Sequence, residues 1–245
     1  MKRIVAPLCV VAIAFAWGVG VFWAMGKPGF WGFQIAHYER ADRLQPPPQG
    51  VIVFTGSSSI RFWHTLPEDM KPLEVINRGF GGSQIAQVNH YAPRIILPYR
   101  PRAVVLYCGD NDLSWPWLKS PEQVSRDFQE FVRIIHTQLP ETWIYYISMK
   151  PSVLRWTHWD KVLTTNRLIE EYIQTQARVE YIDVDRAMLN AEGTPRPELF
   201  GWDGLHMNAK GYEAWTGIVK PVLLKRFGAA INKAATGYST SRVGN

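Results

Sequence analysis

The stretch VIVFTGSSSIRFW, residues 51–63, carries the clearest indication of the fold in this sequence. Its first five residues, 51–55, are apolar or β-favouring, which predicts a buried parallel strand. Gly56 and three serines follow before the apolar residues resume at Ile60, so the strand runs into a helix through a tight turn. Glycine adopts such a turn without a side-chain clash. A serine at its apex is a candidate nucleophile, although serines are also ordinary helix caps.

The composition is that of a globular protein, with 245 residues, 47% of them apolar and 20% charged. This length suffices for one sizeable α/β domain plus an appendage. The net charge is +6, but the basic residues are scattered and do not alternate with aromatic residues, which argues against nucleic-acid binding. Cys9 lies in an apolar run and Cys108 at the end of a predicted strand, and no Cys/His spacing predicts a metal site.

The first 26 residues are predicted to be an N-terminal signal anchor, a transmembrane helix. Lys2 and Arg3 precede a run without any charged residue from Ile4 to Gly26. As a helix this run would span about 34 Å, enough to cross a bilayer core of about 30 Å. The competing interpretation is a cleaved signal peptide, which would make the protein secreted. With the anchor retained, the remaining domain would lie outside the cytoplasm and the membrane would be a partner.

The rest of the chain divides into a juxtamembrane connector with a Pro-rich linker at 27–50, a main domain at 51–230 and a flexible tail at 231–245. The linker is placed at Gln45-Pro46-Pro47-Pro48-Gln49-Gly50, a stiff and extended composition. Five strands are predicted in the main domain, and helical patterns separate them. They are 51–55, 74–77, 103–107, 143–148 and 179–184, and the last helix runs from about Asn208 to Phe227.

Strands that alternate with helices predict an α/β fold, a doubly wound sandwich around a parallel sheet. In such sheets, functional sites lie at the carboxyl ends of the strands. The serines at 57–59 follow the first strand, Gly81 and Gly82 follow the second, and Asn111 follows the third. A loop before the last helix carries residues 203–206. We therefore expect these four segments to converge at one edge.

The residue types in these segments suit acyl transfer. A serine hydroxyl is a poor nucleophile until a base removes its proton. His206 is the best candidate base among six histidines, because Asp203 lies three residues away and can orient the ring and stabilise its charged form.

The oxyanion formed in such a reaction needs hydrogen-bond donors that are already in place. The backbone N–H of the nucleophile, that of Gly82 and the side-chain amide of Asn111 are the candidates. The glycine-rich loop lacks the third glycine of a dinucleotide motif, because Gln84 stands there. The acidic run at 110–112 lacks the glycine and glutamate of a calcium loop. No cofactor and no metal are therefore predicted.

The order and placement of these blocks resemble the SGNH (GDSL-like) hydrolase superfamily, named for a Ser, a Gly, an Asn and a His. In this sequence the four positions are Ser58, Gly82, Asn111 and His206. The resemblance covers 51–227 and implies esterase or lipase chemistry without a metal. It also implies a three-layer α/β/α sandwich with a flavodoxin-like five-stranded parallel sheet in the order 2-1-3-4-5.

One departure concerns the residue before the nucleophile, where the family usually has Asp and this chain has Ser57. Ser58 is chosen as the nucleophile because it lies two residues after Gly56, and Ser57 and Ser59 remain alternatives. An α/β-hydrolase is the rival fold, but its Gly-x-Ser-x-Gly elbow would need glycine where Ile60 stands.

The leading functional hypothesis is a serine ester hydrolase acting on a small-molecule, glycan or lipid ester. Its triad is Ser58, Asp203 and His206, and its oxyanion hole is formed by Ser58, Gly82 and Asn111. The alternatives are an acyltransferase that uses the same triad on a glycan or lipid acceptor, and a non-catalytic binding module on this fold. Four tryptophans in loops after the third and fourth strands could line a substrate pocket or pack on their own scaffold. They are Trp115, Trp117, Trp156 and Trp159.

Overall fold

The computed structural model describes residues 27–114 and 117–240, with side chains as far as residue 229. The predicted anchor at 1–26 lies outside this part of the chain and stays a prediction. Within the described part, no helix combines the length and the apolar character that crossing a bilayer requires.

A five-stranded parallel sheet forms the centre of the protein, in the order β2-β1-β3-β4-β5. Its central strands are buried on both faces, which explains their near-continuous apolar sequence. The fold predicted from the sequence is therefore confirmed, with strand ends displaced by at most two residues. The strands are β1 (Ile52–Gly56), β2 (Val75–Gly79), β3 (Ala103–Tyr107), β4 (Trp143–Ile147) and β5 (Val179–Ile182).

Helices cover both faces of the sheet and complete a three-layer sandwich. One apolar core lies between the sheet and α1, α4, α5 and α6, and a second lies between the sheet and α2, α3, α7 and α8. The helices are α1 (Gly32–Leu44), α2 (Ser58–Arg61), α3 (Leu66–Asp69), α4 (Ile85–Ile95), α5 (Pro121–Gln138), α6 (Trp159–Ile173), α7 (Asp185–Met188) and α8 (Ala209–Thr240).

The segment predicted to be a connector, 27–50, packs on the main domain in the structure. The side chain of Ile35 in α1 is fully buried, and Trp31 just before it is 7% exposed. Farther along α1, Asp42 forms an ion pair with Arg78 at 2.5 Å. Apolar and charged contacts therefore both attach this segment to the first core.

The last helix, α8, continues to Thr240, beyond the end at about Phe227 that the sequence predicts. Tyr212, Trp215, Val219 and Leu223 face the second core, as predicted. The residues after Phe227 include several alanines, which have the highest helix propensity and extend a helix that packing has already nucleated. The sequence therefore predicted the buried face of α8 correctly and placed its end too early.

All the chemically promising segments lie at the carboxyl edge of the sheet. Ser58 follows β1, Gly82 follows β2 and Asn111 follows β3, while a segment beginning at Met149 follows β4. The turn that precedes α8 brings residues 203–206 to the same edge, where His206 reaches Ser58.

Candidate active site

The turn between β1 and α2 presents Ser58 at the edge of the sheet. Gly56 has φ +126°, and a Cβ atom there would lie 1.9 Å from the carbonyl oxygen of Tyr107. The backbone N–H of Ser57 donates to that same oxygen at 3.0 Å. Only glycine fits this close approach of β1 to β3, which fixes the direction in which the chain leaves the strand.

Ser58, His206 and Asp203 form a continuous hydrogen-bonded chain. Nε2 of His206 lies 2.9 Å from Oγ of Ser58, and Nδ1 of His206 lies 2.5 Å from Oδ2 of Asp203. Because an ionised carboxylate only accepts hydrogen bonds, Nδ1 carries the ring proton and Nε2 is left to accept from the hydroxyl. This arrangement can remove a proton from Ser58.

The Asp203 carboxylate is held in its ionised form. Its Oδ1 accepts hydrogen bonds from the backbone N–H groups of Leu205 and His206, each at 3.0 Å. Burial alone would raise the pKa of this carboxyl, but these two N–H groups and the His206 ring outweigh burial and lower it to about 2. A carboxylate with this pKa stays charged at any pH at which the protein would work.

The structure distinguishes the three serines of the turn. Ser57 and Ser59 are buried, with 1% and 3% of their surface exposed. The Ser57 hydroxyl has no hydrogen-bond partner within the described residues. Ser58 is the serine whose hydroxyl meets His206, so the geometry favours the predicted choice.

The glycine-rich loop after β2 passes directly beside Ser58. A Cβ atom on Gly81 would lie 3.8 Å from Cβ of Ser58, and Gly82 has φ +76°, a conformation that favours glycine. Within the described residues, the backbone N–H groups of Ser58 and Gly82 donate to no acceptor. Both groups therefore remain available to a ligand.

Asn111 is 6% exposed, and both ends of its amide are engaged. Its Nδ2 donates to the backbone oxygen of Ser83 at 3.0 Å, and its Oδ1 accepts from Arg155 at 2.9 Å. Ser83 directly follows Gly82, so the structure brings the predicted glycine and asparagine segments together.

The neighbouring Asp112 connects the loop after β3 to the start of α4 and to Lys119. Its side chain is fully buried, and it accepts from Lys119 at 2.8 Å and from the backbone N–H of Ile85 at 3.3 Å. Burial raises the pKa of Asp112 to about 6 despite the nearby Lys119 ammonium. Within the described residues, no group of three or more His, Cys, Asp or Glu side chains is placed to hold a metal ion.

Two basic residues of the site were missed by the sequence analysis. Arg155 contacts Asn111, and Lys150, which is 4% exposed, donates to the backbone oxygen of Leu205 at 2.8 Å. Burial lowers the pKa of the Lys150 ammonium to about 8. These residues could have been found from the sequence, because Lys150-Pro151-Ser152 directly follows a predicted strand at the edge where the site was expected.

Two of the four tryptophans considered in the sequence lie near these residues. Trp159 lines a small cavity with Lys150 and Arg155 and stacks on Trp156, with ring centroids 5.6 Å apart, while Trp115 lies outside the described residues. Phe62 packs edge-on against the His206 ring at 5.0 Å. It also lines an open cavity of about 490 Å³ that reaches Tyr212 on α8.

Comparison with known families agrees with this fold and geometry. The model of the GDSL-like Lipase/Acylhydrolase family matches residues 41–214. The chain belongs to this family, which confirms the resemblance seen in the sequence. It is therefore an ester-hydrolysing enzyme.

Solved structures with the same fold include proteins from several bacteria. A Streptococcus pneumoniae protein provisionally described as a platelet activating factor is 19% identical, with a TM-score of 0.71, over 86% of this chain and 99% of that one. A GDSL-like lipase from Bacteroides thetaiotaomicron is 18% identical, with a TM-score of 0.67, over 78% and 97%. An acetylxylan esterase from Geobacillus stearothermophilus is 12% identical, with a TM-score of 0.58, over 74% and 95%. No curated protein sequence matches this chain.

Proposed function

We propose that the protein hydrolyses carboxylic esters through an acyl-enzyme formed on Ser58. The observation that carries this proposal is the position of the His206 ring, whose Nε2 lies 2.9 Å from the Ser58 hydroxyl. The opposite ring nitrogen is bound to Asp203 at 2.5 Å. A ring held between a hydroxyl and a carboxylate is placed to act as general base and then as general acid.

In the first half-reaction, Nε2 of His206 takes the proton as Oγ of Ser58 attacks the carbonyl carbon. The carbonyl oxygen becomes an oxyanion, and Asp203 stabilises the imidazolium. The intermediate collapses when the bond to the alcohol oxygen breaks, and His206 gives its proton to the departing alcohol. Ser58 is left as an ester of the acyl group.

In the second half-reaction, His206 takes a proton from water, and the resulting hydroxide attacks the acyl carbon. The bond to Oγ of Ser58 breaks, the acid leaves, and Ser58 regains its proton. The backbone N–H groups of Ser58 and Gly82 and the second Nδ2 hydrogen of Asn111 would hold the oxyanion in both steps. Their freedom from other acceptors within the described residues supports this role.

The exposure of the site supports an ester with a large alcohol part, such as a glycan or a lipid. The side chains of His206 and Asp203 are 31% and 26% exposed, so a bulky alcohol could remain outside while the acyl carbonyl reaches Ser58. The acetylxylan esterase with the same fold supports a short acyl group.

The test is to replace Ser58 and its neighbour separately and to measure hydrolysis of p-nitrophenyl acetate. We expect Ser58→Ala to lower kcat by about 10⁴-fold or more, because the nucleophile is lost. Ser57→Ala is the matched control and should keep kcat within about twofold, since its hydroxyl contacts no partner.

The proposal is wrong if Ser58→Ala retains a substantial part of the wild-type rate, whatever the effect of Ser57→Ala. Mass spectrometry after labelling with a fluorophosphonate provides an independent readout and should place the adduct on Ser58. Product analysis with added alcohols would reveal whether acyl transfer competes with hydrolysis, and a p-nitrophenyl chain-length series would identify the preferred acyl group.

A further inference from the structure

We propose that Arg155 is a positioning residue for the oxyanion hole, because it fixes the orientation of the Asn111 amide. This inference rests on the proposed function, in which Asn111 stabilises the oxyanion. Nη2 of Arg155 donates to Oδ1 of Asn111 at 2.9 Å, across 44 positions of sequence.

An asparagine amide needs such a restraint, because its oxygen and nitrogen ends have nearly the same shape. Rotation by 180° would replace the donating NH₂ by a carbonyl oxygen, which would repel a developing oxyanion. The two neighbours of Asn111 are selective for its ends. A guanidinium has no acceptor and binds only the oxygen end, while the Ser83 carbonyl has no donor and binds only the NH₂ end. Both neighbours therefore reject the flipped amide.

The contact with Arg155 also makes the NH₂ group of Asn111 a stronger hydrogen-bond donor. The NH₂ group has two hydrogens, and the Ser83 oxygen takes one of them. The second has no acceptor within the described residues and remains for the ligand. A cationic hydrogen bond to Oδ1 draws electron density from the amide, which makes the remaining N–H a better donor.

Arg155 is itself held in position. Its Nη1 donates to Oδ2 of Asp110 at 3.1 Å, and its backbone N–H donates to Oγ of Ser152 at 3.3 Å. The side chains of Arg155 and Asp110 are 21% and 12% exposed, so this ion pair is largely shielded from solvent. The carboxylate fixes one edge of the guanidinium while the other edge contacts Asn111.

The segment that carries Arg155 also supports the acid–base loop. The backbone N–H of Leu154 donates to the oxygen of Gly204 at 3.0 Å, and Lys150 donates to the oxygen of Leu205. The segment 149–155 therefore connects the oxyanion donor on one side with the Asp203–His206 loop on the other.

The test is a double-mutant cycle in the full-length protein with p-nitrophenyl acetate as substrate. We expect Arg155→Ala to lower kcat by about 10- to 100-fold and to change KM by less than about threefold. A misplaced Asn111 donor stabilises the transition state less, whereas substrate binding does not depend on it. In an Asn111→Ala background, the same substitution should lower kcat by less than about threefold, since the residue through which it acts is gone.

The inference is overturned if Arg155→Ala leaves the wild-type kcat unchanged, or if it lowers kcat equally in both backgrounds. If Asn111→Ala itself keeps full kcat, the oxyanion role given under the proposed function fails, and this inference fails with it. The two failures are therefore distinguishable, because only the second leaves Asn111→Ala fully active.

Two further variants separate positioning from a general effect on folding. Arg155→Lys keeps the charge but lacks the planar fork that reaches Asp110 and Asn111 together, so kcat should fall while Tm stays close to wild type. Arg167→Ala removes an exposed arginine on α6 and should change neither quantity. If Arg155→Lys is fully active, the bidentate positioning role is excluded.

Discussion

The choice among Ser57, Ser58 and Ser59 shows how packing assigns different roles to identical residues. All three have the same hydroxyl and lie in one turn. Ser57 takes an extended conformation with its side chain buried, while Ser58 begins α2 and meets His206. The direction in which the backbone leaves β1 therefore selects Ser58 as the proposed nucleophile.

Asp185 does not take part in the proposed reaction, and its surroundings disfavour the ionised form of its carboxyl group. It lies at the start of α7 and accepts from Ser148 at 2.7 Å and from Asn166 at 3.3 Å. Burial, aided by the nearby Asp183 and Glu170 carboxylates, raises the pKa of Asp185 from 3.8 to about 7.

Because of this raised pKa, we expect Asp185→Asn to increase thermal stability by an amount that depends on pH. The folded state retains the Asp185 proton up to about pH 7, whereas the unfolded chain releases it near its ordinary value. The stability contributed by that proton is complete below about pH 4 and is lost as pH rises through 7. The neutral variant escapes this loss, so its Tm gain over wild type should be about 3–8 °C larger at pH 8.5 than at pH 4.

Thermal unfolding across this pH range is the measurement, and Glu192→Gln is the control. Glu192 is exposed, so Glu192→Gln should change Tm little at either pH. A constant difference for Asp185→Asn as well would contradict the raised pKa.

At the scale of elements, the position of α2 depends on how closely it approaches β2. A Cβ atom on Gly79 would lie 2.5 Å from the backbone nitrogen of Arg61 and 2.8 Å from Cβ of Ile60. From the same strand, Asn77 donates to the oxygen of Ile60 at 2.6 Å. The short helix that begins with Ser58 is therefore held directly against the end of β2.

Replacing Gly79 by alanine should consequently affect both stability and catalysis. The added methyl group would push α2 away from β2, and overpacking of this kind costs about 1–3 kcal/mol. Ser58 would move with α2, so we also expect kcat for p-nitrophenyl acetate to fall by about tenfold or more. Chemical denaturation and steady-state kinetics measure the two effects.

Gly217→Ala in α8 is the matched control for this prediction. A Cβ atom at Gly217 would meet nothing within 4 Å, and alanine favours a helix interior over glycine by about 0.5–1 kcal/mol. We expect this variant to be slightly stabilised and fully active. Wild-type activity in Gly79→Ala would show that the close approach does not position Ser58.

At the scale of the whole molecule, the segment before the main domain contributes to the folded unit. Ile35 is completely buried in the core that α4, α5 and α6 share with the sheet. The hydroxyl of Tyr38 donates to the backbone oxygen of Gly79 at 2.5 Å, at the end of β2. Helix α1 therefore reaches from the first core to the edge of the sheet that carries the site.

Ile35→Ala should accordingly destabilise the entire domain. Removing a fully buried isoleucine side chain costs about 2–4 kcal/mol, through lost burial and the cavity left behind. Phe33→Ala is the control on the same helix, because Phe33 is 88% exposed and should change stability by less than about 0.5 kcal/mol. If denaturant unfolding gave the same change in stability for Ile35→Ala and Phe33→Ala, α1 would not be integrated into the domain.

Much of this architecture could be predicted from local sequence patterns. The apolar runs located all five strands, and Ser120, Pro121 and Gln123 marked the start of α5, where a capping box forms. The offset of three residues between Asp203 and His206 also lies within one turn of chain, so their contact could be expected. The membrane anchor at 1–26 stays a prediction.

The tertiary structure decided which distant groups meet. Periodic burial leaves a pattern within a few residues, so strands, helices and their order can be predicted from the sequence by itself. The contacts of Arg155 with Asn111, of Lys150 with Leu205, and of Tyr38 in α1 with Gly79 join positions 41 or more apart and leave no such pattern. They depend on how the strand order brings separate loops to one edge of the sheet, which is settled only when the complete chain packs.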